Sequence, residues 1–245
     1  MIPKVIHYCW FGGKPLPKSA VKCLESWKTY FPDYEIKRWD ESNFDVNMIP
    51  YTKEAYSVGK YAFVSDFARF WIIYNHGGVY FDTDVEVIRP MSDILDKGAF
   101  LGVEYKAEDA ITVNPGLGFG ASAGSVALKE LMDQYQVRHF IDAQGGMCLK
   151  NIVETTTEYL DKNGLKNTSS IQDCAGFTIY PVDYFCPISF ETRELKITEN
   201  TRTIHHFAES WIPRSTRFKN ALGRVMGPRF MSFLVKVKSI LRSIR

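Results

Sequence analysis

One segment of the chain, ending in two aspartates, constrains the fold more than any other. Aromatic residues recur there at helical spacing and predict a helix over residues 61–75. Gly77-Gly78 ends that helix, the apolar run 79–81 predicts a buried strand, and Asp82 and Asp84 follow at once. A helix, a glycine turn and a strand in direct succession indicate an α/β sheet, whose ligand crevice lies at the carboxyl ends of its strands.

The rest of the chain shows the same alternation. The 245 residues suit one domain with an appendage. The glycine-rich stretch 116–124 is expected to be flexible. Further strands are expected over residues 4–10, 34–39, 85–88, 100–104, 179–181 and 203–206, and further helices over residues 18–30 and 125–135.

The acidic pair after the apolar strand predicts a metal site. Residues two apart in an extended chain project to the same side, so the carboxylates of Asp82 and Asp84 converge and repel unless a cation lies between them. Hard oxygen ligands favour Mg²⁺ or Mn²⁺, which also bind phosphate oxygens. An isolated Asp-x-Asp is usually a solvated turn, and Asp66 and Arg69 could form a purely structural ion pair on one helical face. We expect all four residues to lie at one crevice, which favours a functional site over a solvated turn and a structural ion pair.

Three blocks of the chain resemble the DXD-containing sugar transferases of glycosyltransferase family 32. Residues 63–84 carry the main signature and are also similar to the donor-site segment of the clostridial glucosylating toxins. Residues 2–13 resemble the start of the family, and residues 204–211 resemble its closing segment. The resemblance implies a GT-A fold over residues 1–212, with a Rossmann-like, nucleotide-binding mixed sheet flanked by helices. It also implies transfer with retention of the anomeric configuration.

The resemblance assigns expected roles to residues by their position. Asp66 and Arg69 would hydrogen-bond hydroxyls of the donor sugar, while Asp82 and Asp84 would contact the metal and the donor's ribose or diphosphate; these four are the expected catalytic residues. Trp10 could stack on the nucleotide base, although a core position for this indole is equally open. Beyond the acidic pair, the expected donor-binding residues are Trp10, Tyr80, Asn114, Ser210 and Trp211.

Two adjacent histidines near the end of the resemblance are candidates for a third metal ligand. Neighbouring residues of a strand point to opposite faces, so one of His205 and His206 can face the site. We prefer His206 as the metal ligand or as a contact to the leaving diphosphate. A buried histidine with a structural role is the alternative.

Together these features predict a retaining, metal-dependent glycosyltransferase of surface polysaccharide synthesis, for example of a capsule. The expected donor is a UDP-sugar that carries a hexose or N-acetylhexosamine, and the expected acceptor is a glycan or lipid-linked glycan. The alternatives are a GDP-mannose-dependent mannosyltransferase, a glycoside hydrolase, whose two carboxylates must lie about 5–9.5 Å apart, and a non-catalytic glycan- or nucleotide-binding protein. Since no carboxylate stands out as a nucleophile, the leaving phosphate is a candidate to take the acceptor's proton.

Charge is distributed unevenly along the chain. Residues 1–213 carry 21 basic and 28 acidic groups, whereas residues 214–245 carry nine basic and no acidic groups, which gives the formal net charge of +2. Because apolar residues are interspersed, residues 213–245 are expected to form a basic amphipathic helical tail that lies on an anionic membrane surface. Packing of this tail on the body is the alternative. Binding to nucleic acid is not expected, since aromatic stacking platforms are sparse.

The cysteines and the N-terminal sequence bear on the compartment. Five cysteines, an odd number without a C-x-x-C pair, argue against a disulfide framework and a zinc site. The N-terminal sequence lacks the apolar run of a signal peptide, and no run approaches the roughly 20 apolar residues that span a bilayer. We therefore expect a cytoplasmic protein that associates peripherally with the inner face of the cell membrane.

Overall fold

The computed structural model describes residues 1–108, 110–189 and 194–208. These residues contain seven α-helices and ten strands, joined by short connections. The helices are α1 (Lys18–Tyr30), α2 (Pro50–Ser57), α3 (Tyr61–His76), α4 (Ser92–Leu95), α5 (Val126–Gln136), α6 (Ile152–Lys162) and α7 (Val182–Phe185). The strands are β1 (Val5–Cys9), β2 (Glu35–Trp39), β3 (Gly78–Tyr80), β4 (Val85–Val87), β5 (Phe100–Lys106), β6 (Ile111–Val113), β7 (Phe119–Ala121), β8 (Gln172–Cys174), β9 (Phe177–Tyr180) and β10 (Thr203–His205).

Eight of the described strands form one mixed sheet. Its order is β2-β1-β3-β7-β5-β9-β8, with β6 paired to β5. Strand β1 runs parallel to both β2 and β3, whereas β7 runs antiparallel to β3 and β5. A separate two-stranded ribbon pairs β10 with β4, in a register that sets His205 opposite Val85. The ribbon therefore brings a late part of the chain beside the residues that follow β3.

Helices cover both faces of the sheet. Helix α3 contacts α2 and α5 on one face, and α1 contacts β4 on the other. The rings of Phe70 and Tyr135 are fully buried in the first core, and those of Trp27 and Phe81 are fully buried in the second. Burying such side chains stabilises a fold by about 1.5–3 kcal/mol each. Both faces of the sheet are therefore occupied by core, which leaves its edge for a ligand.

The structure confirms the α/β class and corrects one expectation of the sequence analysis. The glycine-rich stretch 116–124 is not a flexible loop, because it contains β7, which lies buried between β3 and β5. A Cβ atom at Gly120 would lie 2.7 Å from the Phe100 ring, so the glycine there permits close packing. Helices α2, α4, α6 and α7 were not predicted, although α6 begins with a capping box formed by Asn151 and Glu154, a signal that the sequence carries.

The expected boundary at residue 212 and the basic tail over residues 213–245 lie outside the described residues. The ranges 1–108, 110–189 and 194–208 hold no helix that is long and apolar enough to span a bilayer. Both expectations for the tail, its helical form and its membrane contact, therefore stay predictions.

Candidate functional site

The acidic pair follows strand β3, and the turn before this strand sets its position. Gly78 has a φ of 107°, and a Cβ atom there would lie 2.7 Å from the Val5 carbonyl oxygen and 2.9 Å from His7 Nε2. This conformation and this close packing require glycine. Because β3 pairs with β1 directly after the turn, the turn fixes the register that places Asp82 and Asp84 at the edge of the sheet.

Asp82 is oriented by three contacts. Its Oδ2 accepts a hydrogen bond from Arg69 Nη1 at 3.1 Å, and its Oδ1 accepts one from the Tyr80 hydroxyl at 3.1 Å. Its backbone N–H donates to the Gly116 carbonyl at 3.2 Å. The buried Tyr80 ring lies 4.9 Å from the Arg69 guanidinium carbon and supports it through a cation–π contact. The carboxylate is therefore held in place while its side chain stays 30% exposed.

Asp84 faces strand β10. Its Oδ1 lies 3.3 Å from His205 Nε2, and its Oδ2 accepts a hydrogen bond from the Ala208 N–H at 2.8 Å. Burial opposes ionisation of Asp84, but the charge and hydrogen bond of His205 and the Ala208 amide outweigh it and lower the pKa of Asp84 to about 2. Burial also opposes protonation of His205, but Asp84 raises the pKa of this imidazole well above its ordinary value.

The structure corrects the preference for His206 as the residue beside the acidic pair. His206 Nε2 lies 2.8 Å from Glu86 Oε2, and its side chain is 42% exposed. His205, in contrast, is buried against Asp84. The reason is the alternation of side chains along β10, since the pairing of this strand with β4 directs His205 inward and His206 outward.

The residues that meet at this point fit a divalent cation. Asp82, Asp84 and His205 each offer one ligand atom, and these atoms all lie within 4.8 Å of one another. Two carboxylates suit Mg²⁺ or Mn²⁺, and an imidazole nitrogen is accepted more readily by a transition metal than by Mg²⁺. The donor set therefore fits Mn²⁺ better than Mg²⁺.

Asp66 and Arg69 join the site from helix α3, where they are polar exceptions in a largely apolar, buried stretch. Arg69 Nη2 lies 3.3 Å from Asp66 Oδ1, so the same guanidinium bridges Asp66 and Asp82. Burial raises the pKa of Asp66 to about 7, although the Arg69 charge opposes the rise. The ion pair considered as a structural alternative therefore exists, and it is also connected to the acidic pair.

A cavity of about 1010 Å³ opens over the acidic pair. Pockets for small ligands span about 300–1,000 Å³, so this cavity has room for a ligand of several rings. Trp10 forms part of one wall, and its Nε1–H donates to the Lys14 carbonyl at 2.6 Å. The cavity brings together seven of the residues considered in the sequence analysis, namely Trp10, Asp66, Arg69, Asp82, Asp84, Asn114 and His205.

Tyr80, another predicted donor-site residue, is not part of the cavity lining. Tyr80 is 1% exposed and supports Asp82 and Arg69 from beneath the cavity. Ser210 and Trp211 lie outside the described residues, so their expected place over the diphosphate stays a prediction.

Glu104 lines the same cavity and was missed by the sequence analysis. Asn114 Nδ2 donates to Glu104 Oε1 at 3.0 Å, and Asn114 Oδ1 accepts from the Gly116 N–H at 2.6 Å. Burial raises the pKa of Glu104, which His205 and Asn114 oppose and Asp82 and Asp84 reinforce. A carboxylate that directly follows the apolar start of a buried strand is the signal that could have drawn attention to it.

Comparison with known families identifies the segment that carries the site. Residues 17–101 match the family model described as "Glycosyltransferase sugar-binding region containing DXD motif". The match includes Asp66, Arg69 and the acidic pair. The resemblance predicted from the sequence is confirmed, and these four residues lie in a segment similar to the sugar-binding region of DXD-containing glycosyltransferases.

Curated relatives match less than half of the chain. An uncharacterized glycosyltransferase of Acanthamoeba polyphaga mimivirus is 34% identical over 122 residues, which cover 46% of this chain and 47% of that protein. Inositol phosphoceramide mannosyltransferase 3 of Schizosaccharomyces pombe is 33% identical over 104 residues, covering 41% of this chain and 29% of that protein. The chain thus matches less than half of the length of either relative.

A solved structure supports the architecture. The glycosyltransferase involved in the glycosylation of the major capsid of PBCV-1 superposes with a TM-score of 0.51 at 14% sequence identity, covering 89% of this chain and 99% of that one. At this identity the likeness concerns the fold. The expected GT-A fold, a mixed sheet flanked by helices, is confirmed for the described part of the chain.

Proposed function

We propose that this protein is a glycosyltransferase that moves a sugar from a nucleotide-sugar donor, with a divalent cation held by Asp82, Asp84 and His205. One observation carries the proposal: two carboxylates and an imidazole converge within 4.8 Å where a cavity of about 1010 Å³ opens. The match of residues 17–101 to the sugar-binding region of DXD transferases supports it.

Different side chains around the cation site are positioned to bind the sugar and the base of the donor. Arg69 and Asp66 are positioned to hydrogen-bond hydroxyls of the donor sugar, and Tyr80 fixes Asp82 and Arg69 from below. Trp10 offers a ring to the nucleotide base, worth about 1–3 kcal/mol if the base stacks on it. When bound, the cation would neutralise negative charge on the departing diphosphate. We keep Mn²⁺ as the expected ion, with Mg²⁺ as the alternative.

The donor, the acceptor and the stereochemistry are the finer parts of the proposal. We expect a UDP-hexose or UDP-N-acetylhexosamine as the donor, a glycan or lipid-linked glycan of a surface polysaccharide such as capsule as the acceptor, and retention at the anomeric carbon. GDP-mannose is the second candidate donor, which is favoured by the named mannosyltransferases among the relatives.

We further propose a division of the chain into a transferase domain over residues 1–212 and a basic tail over residues 213–245 that attaches to the inner face of the cell membrane. The nine basic residues after residue 213 support this proposal. Flotation with vesicles of anionic and of neutral lipid tests it. Selective flotation of the full chain on anionic vesicles, lost on truncation after Trp211, is expected, and equal flotation of both chains contradicts it.

Thermal denaturation with nucleotide sugars tests the transferase proposal itself. UDP-glucose, UDP-galactose, their N-acetyl forms and GDP-mannose are compared, each with Mn²⁺, with Mg²⁺ and with a chelator. One donor is expected to raise the melting temperature in a Mn²⁺-dependent way, and to be turned over with release of its nucleoside diphosphate. Stabilisation without release indicates a non-catalytic binding protein. Cleavage of a glycoside without metal or nucleotide indicates a hydrolase.

A further inference from the structure

Glu104 stands apart from the groups that hold the candidate cation. The compact set of ligand atoms consists of Asp82, Asp84 and His205 and does not include Glu104. Glu104 nevertheless lines the same cavity, near enough for the charges of these residues to act on it. The cavity therefore contains a carboxylate for which donor and metal binding provide no role.

A local irregularity of the sheet aims Glu104 at the cavity. In the pairing of β5 with β6, Val103 lies opposite Val113 and Tyr105 lies opposite Thr112, so Glu104 is an extra residue without a partner of its own. Such a bulge redirects a side chain and is common beside active sites. The regular pairing of β5 with β6 is therefore interrupted at the position of a half-buried carboxylate.

The carboxylate is also held at one oxygen. Glu104 Oε1 accepts a hydrogen bond from Asn114 Nδ2, and Asn114 Oδ1 accepts one from the Gly116 N–H. The Gly116 carbonyl oxygen in turn accepts one from the Asp82 N–H. A Cβ atom at Gly116 would lie 2.3 Å from Asp82 Oδ2, so this chain of contacts is tightly packed. Glu104 thus has a fixed relation to the acidic pair, and Asn114 is its hydrogen-bond partner within the described part of the chain.

A half-buried carboxylate near two further carboxylates is costly to ionise, and carboxyl groups in such surroundings are common at functional sites. Glu104 and its exposed neighbour Tyr105 also line a second cavity of about 240 Å³, so they lie where the two cavities adjoin. A sugar that enters from the second cavity would meet the donor at this boundary. Burial, which raises the pKa of Glu104, makes its carboxylate a better proton acceptor.

Resting on the proposed transferase function, we propose that Glu104 is a catalytic residue that binds the attacking hydroxyl of the acceptor and takes its proton. The acceptor oxygen forms a bond to the anomeric carbon on the face from which the phosphate departs, while the bond from that carbon to the phosphate oxygen breaks, so the anomeric configuration is retained. The electron pair of the broken bond leaves with the nucleoside diphosphate. The proton passes to Glu104 Oε2 and then to solvent, so the departing phosphate is not needed as the base.

Glu104→Gln tests this role while preserving the Asn114 contact, because the amide oxygen of glutamine can still accept that hydrogen bond. The donor identified by thermal denaturation is used, with water or a panel of p-nitrophenyl glycosides as the acceptor. Binding of donor and of Mn²⁺, measured by calorimetry, is expected to match wild type, while release of nucleoside diphosphate falls about 10²–10⁴-fold. Formate is expected to restore part of the rate of Glu104→Ala, and Glu25→Gln, an exposed control on α1, is expected to behave as wild type.

Three outcomes overturn the inference in different ways. Release by Glu104→Gln at the wild-type rate, while Asp82→Asn with Asp84→Asn abolishes it, removes the role of Glu104 and leaves the proposed function intact. A sugar covalently attached to Glu104, detected by intact mass, assigns the residue as a nucleophile instead. A wild-type protein that neither binds nor turns over any nucleotide sugar removes the proposed function, and this inference with it.

Discussion

Two buried histidines lie at opposite ends of the β3 region and have opposite charge preferences. His7 is 1% exposed and His205 is 7% exposed, so burial alone does not distinguish them. Burial lowers the pKa of His7 to about 4, although its hydrogen bond to the Gly77 carbonyl opposes the change. Burial also acts on His205, but there the Asp84 carboxylate reverses the result and raises the pKa well above its ordinary value.

The partners of each ring explain the difference. His7 Nε2 lies 3.0 Å from the Gly77 carbonyl and must donate, while its Nδ1 accepts from Trp39 Nε1–H at 3.0 Å. These partners require the neutral ring. His205 has a carboxylate 3.3 Å away, which favours the cation. One end of the strand therefore has a neutral histidine that anchors the glycine turn. The other has a histidine that Asp84 keeps protonated, and this histidine must release its proton before it can bind a metal ion.

The largest effect on activity is expected from removing the negative charges of the acidic pair that follows β3. Asp82→Asn combined with Asp84→Asn should lower nucleoside diphosphate release by about 10³-fold or more, because a metal contributes several kcal/mol to stabilising the transition state. The rate is measured with saturating donor and Mn²⁺. Asp133→Asn, a change at an exposed ion pair on α5, is the matched control and should leave the rate unchanged.

At the base of the strand, acid is expected to destabilise the fold through His7. The unfolded chain takes a proton on His7 near pH 6.5, whereas the folded chain does so near pH 4, so the free energy of unfolding falls as the pH decreases through this window. The loss amounts to at most about 3 kcal/mol. His7→Gln is neutral at every pH and should show a flatter dependence between pH 6.5 and 4 in urea titrations. Parallel curves for the two proteins would contradict the neutral anchor.

Substitution of His205 and of its neighbour His206 compares a residue beside the acidic pair with one that faces away from it. His205→Ala should weaken Mn²⁺ binding by about 100-fold, as expected for the loss of a ligand or of its orienting partner. His206→Ala removes an exposed ring that contacts Glu86 and should leave the affinity unchanged. Calorimetric titration with Mn²⁺ measures both variants. The reverse result would restore His206 to the site.

A smaller effect on Mn²⁺ binding is expected from changing Tyr80, which lies beneath the acidic pair. Tyr80→Phe removes the hydroxyl that donates to Asp82 at 3.1 Å but keeps the ring under Arg69. Mn²⁺ affinity should fall about tenfold, which corresponds to about 1.4 kcal/mol and lies at the lower end of what one hydrogen bond to a charged group contributes. Tyr159→Phe removes a comparable hydroxyl–carboxylate contact, that to Glu130, and should not alter Mn²⁺ binding.

Local sequence patterns predicted the framework of the site. Helix α1 has the predicted bounds and α3 extends one residue beyond them, because apolar spacing specifies buried helices. The glycine pair and the apolar run after it also predicted the strand that ends at the acidic pair. These signals are contained within a few adjacent residues and do not depend on distant partners.

The features that the sequence did not reveal depend on contacts between distant segments. The choice between His205 and His206 is made by the register of β10 against β4, which adjacent residues do not encode. The bulge at Glu104 arises from the pairing of β5 with β6. Strand β7 was expected to be part of a flexible stretch because glycine is common in loops. In the structure Gly120 instead makes room for the Phe100 ring.

Anomalous diffraction from crystals grown with Mn²⁺ and UDP, and in parallel with GDP, tests the central claim most directly. We predict a manganese peak among the side chains of Asp82, Asp84 and His205, with the diphosphate beside it and the base toward Trp10. A diphosphate bound elsewhere, with no manganese at these three side chains, would contradict the account.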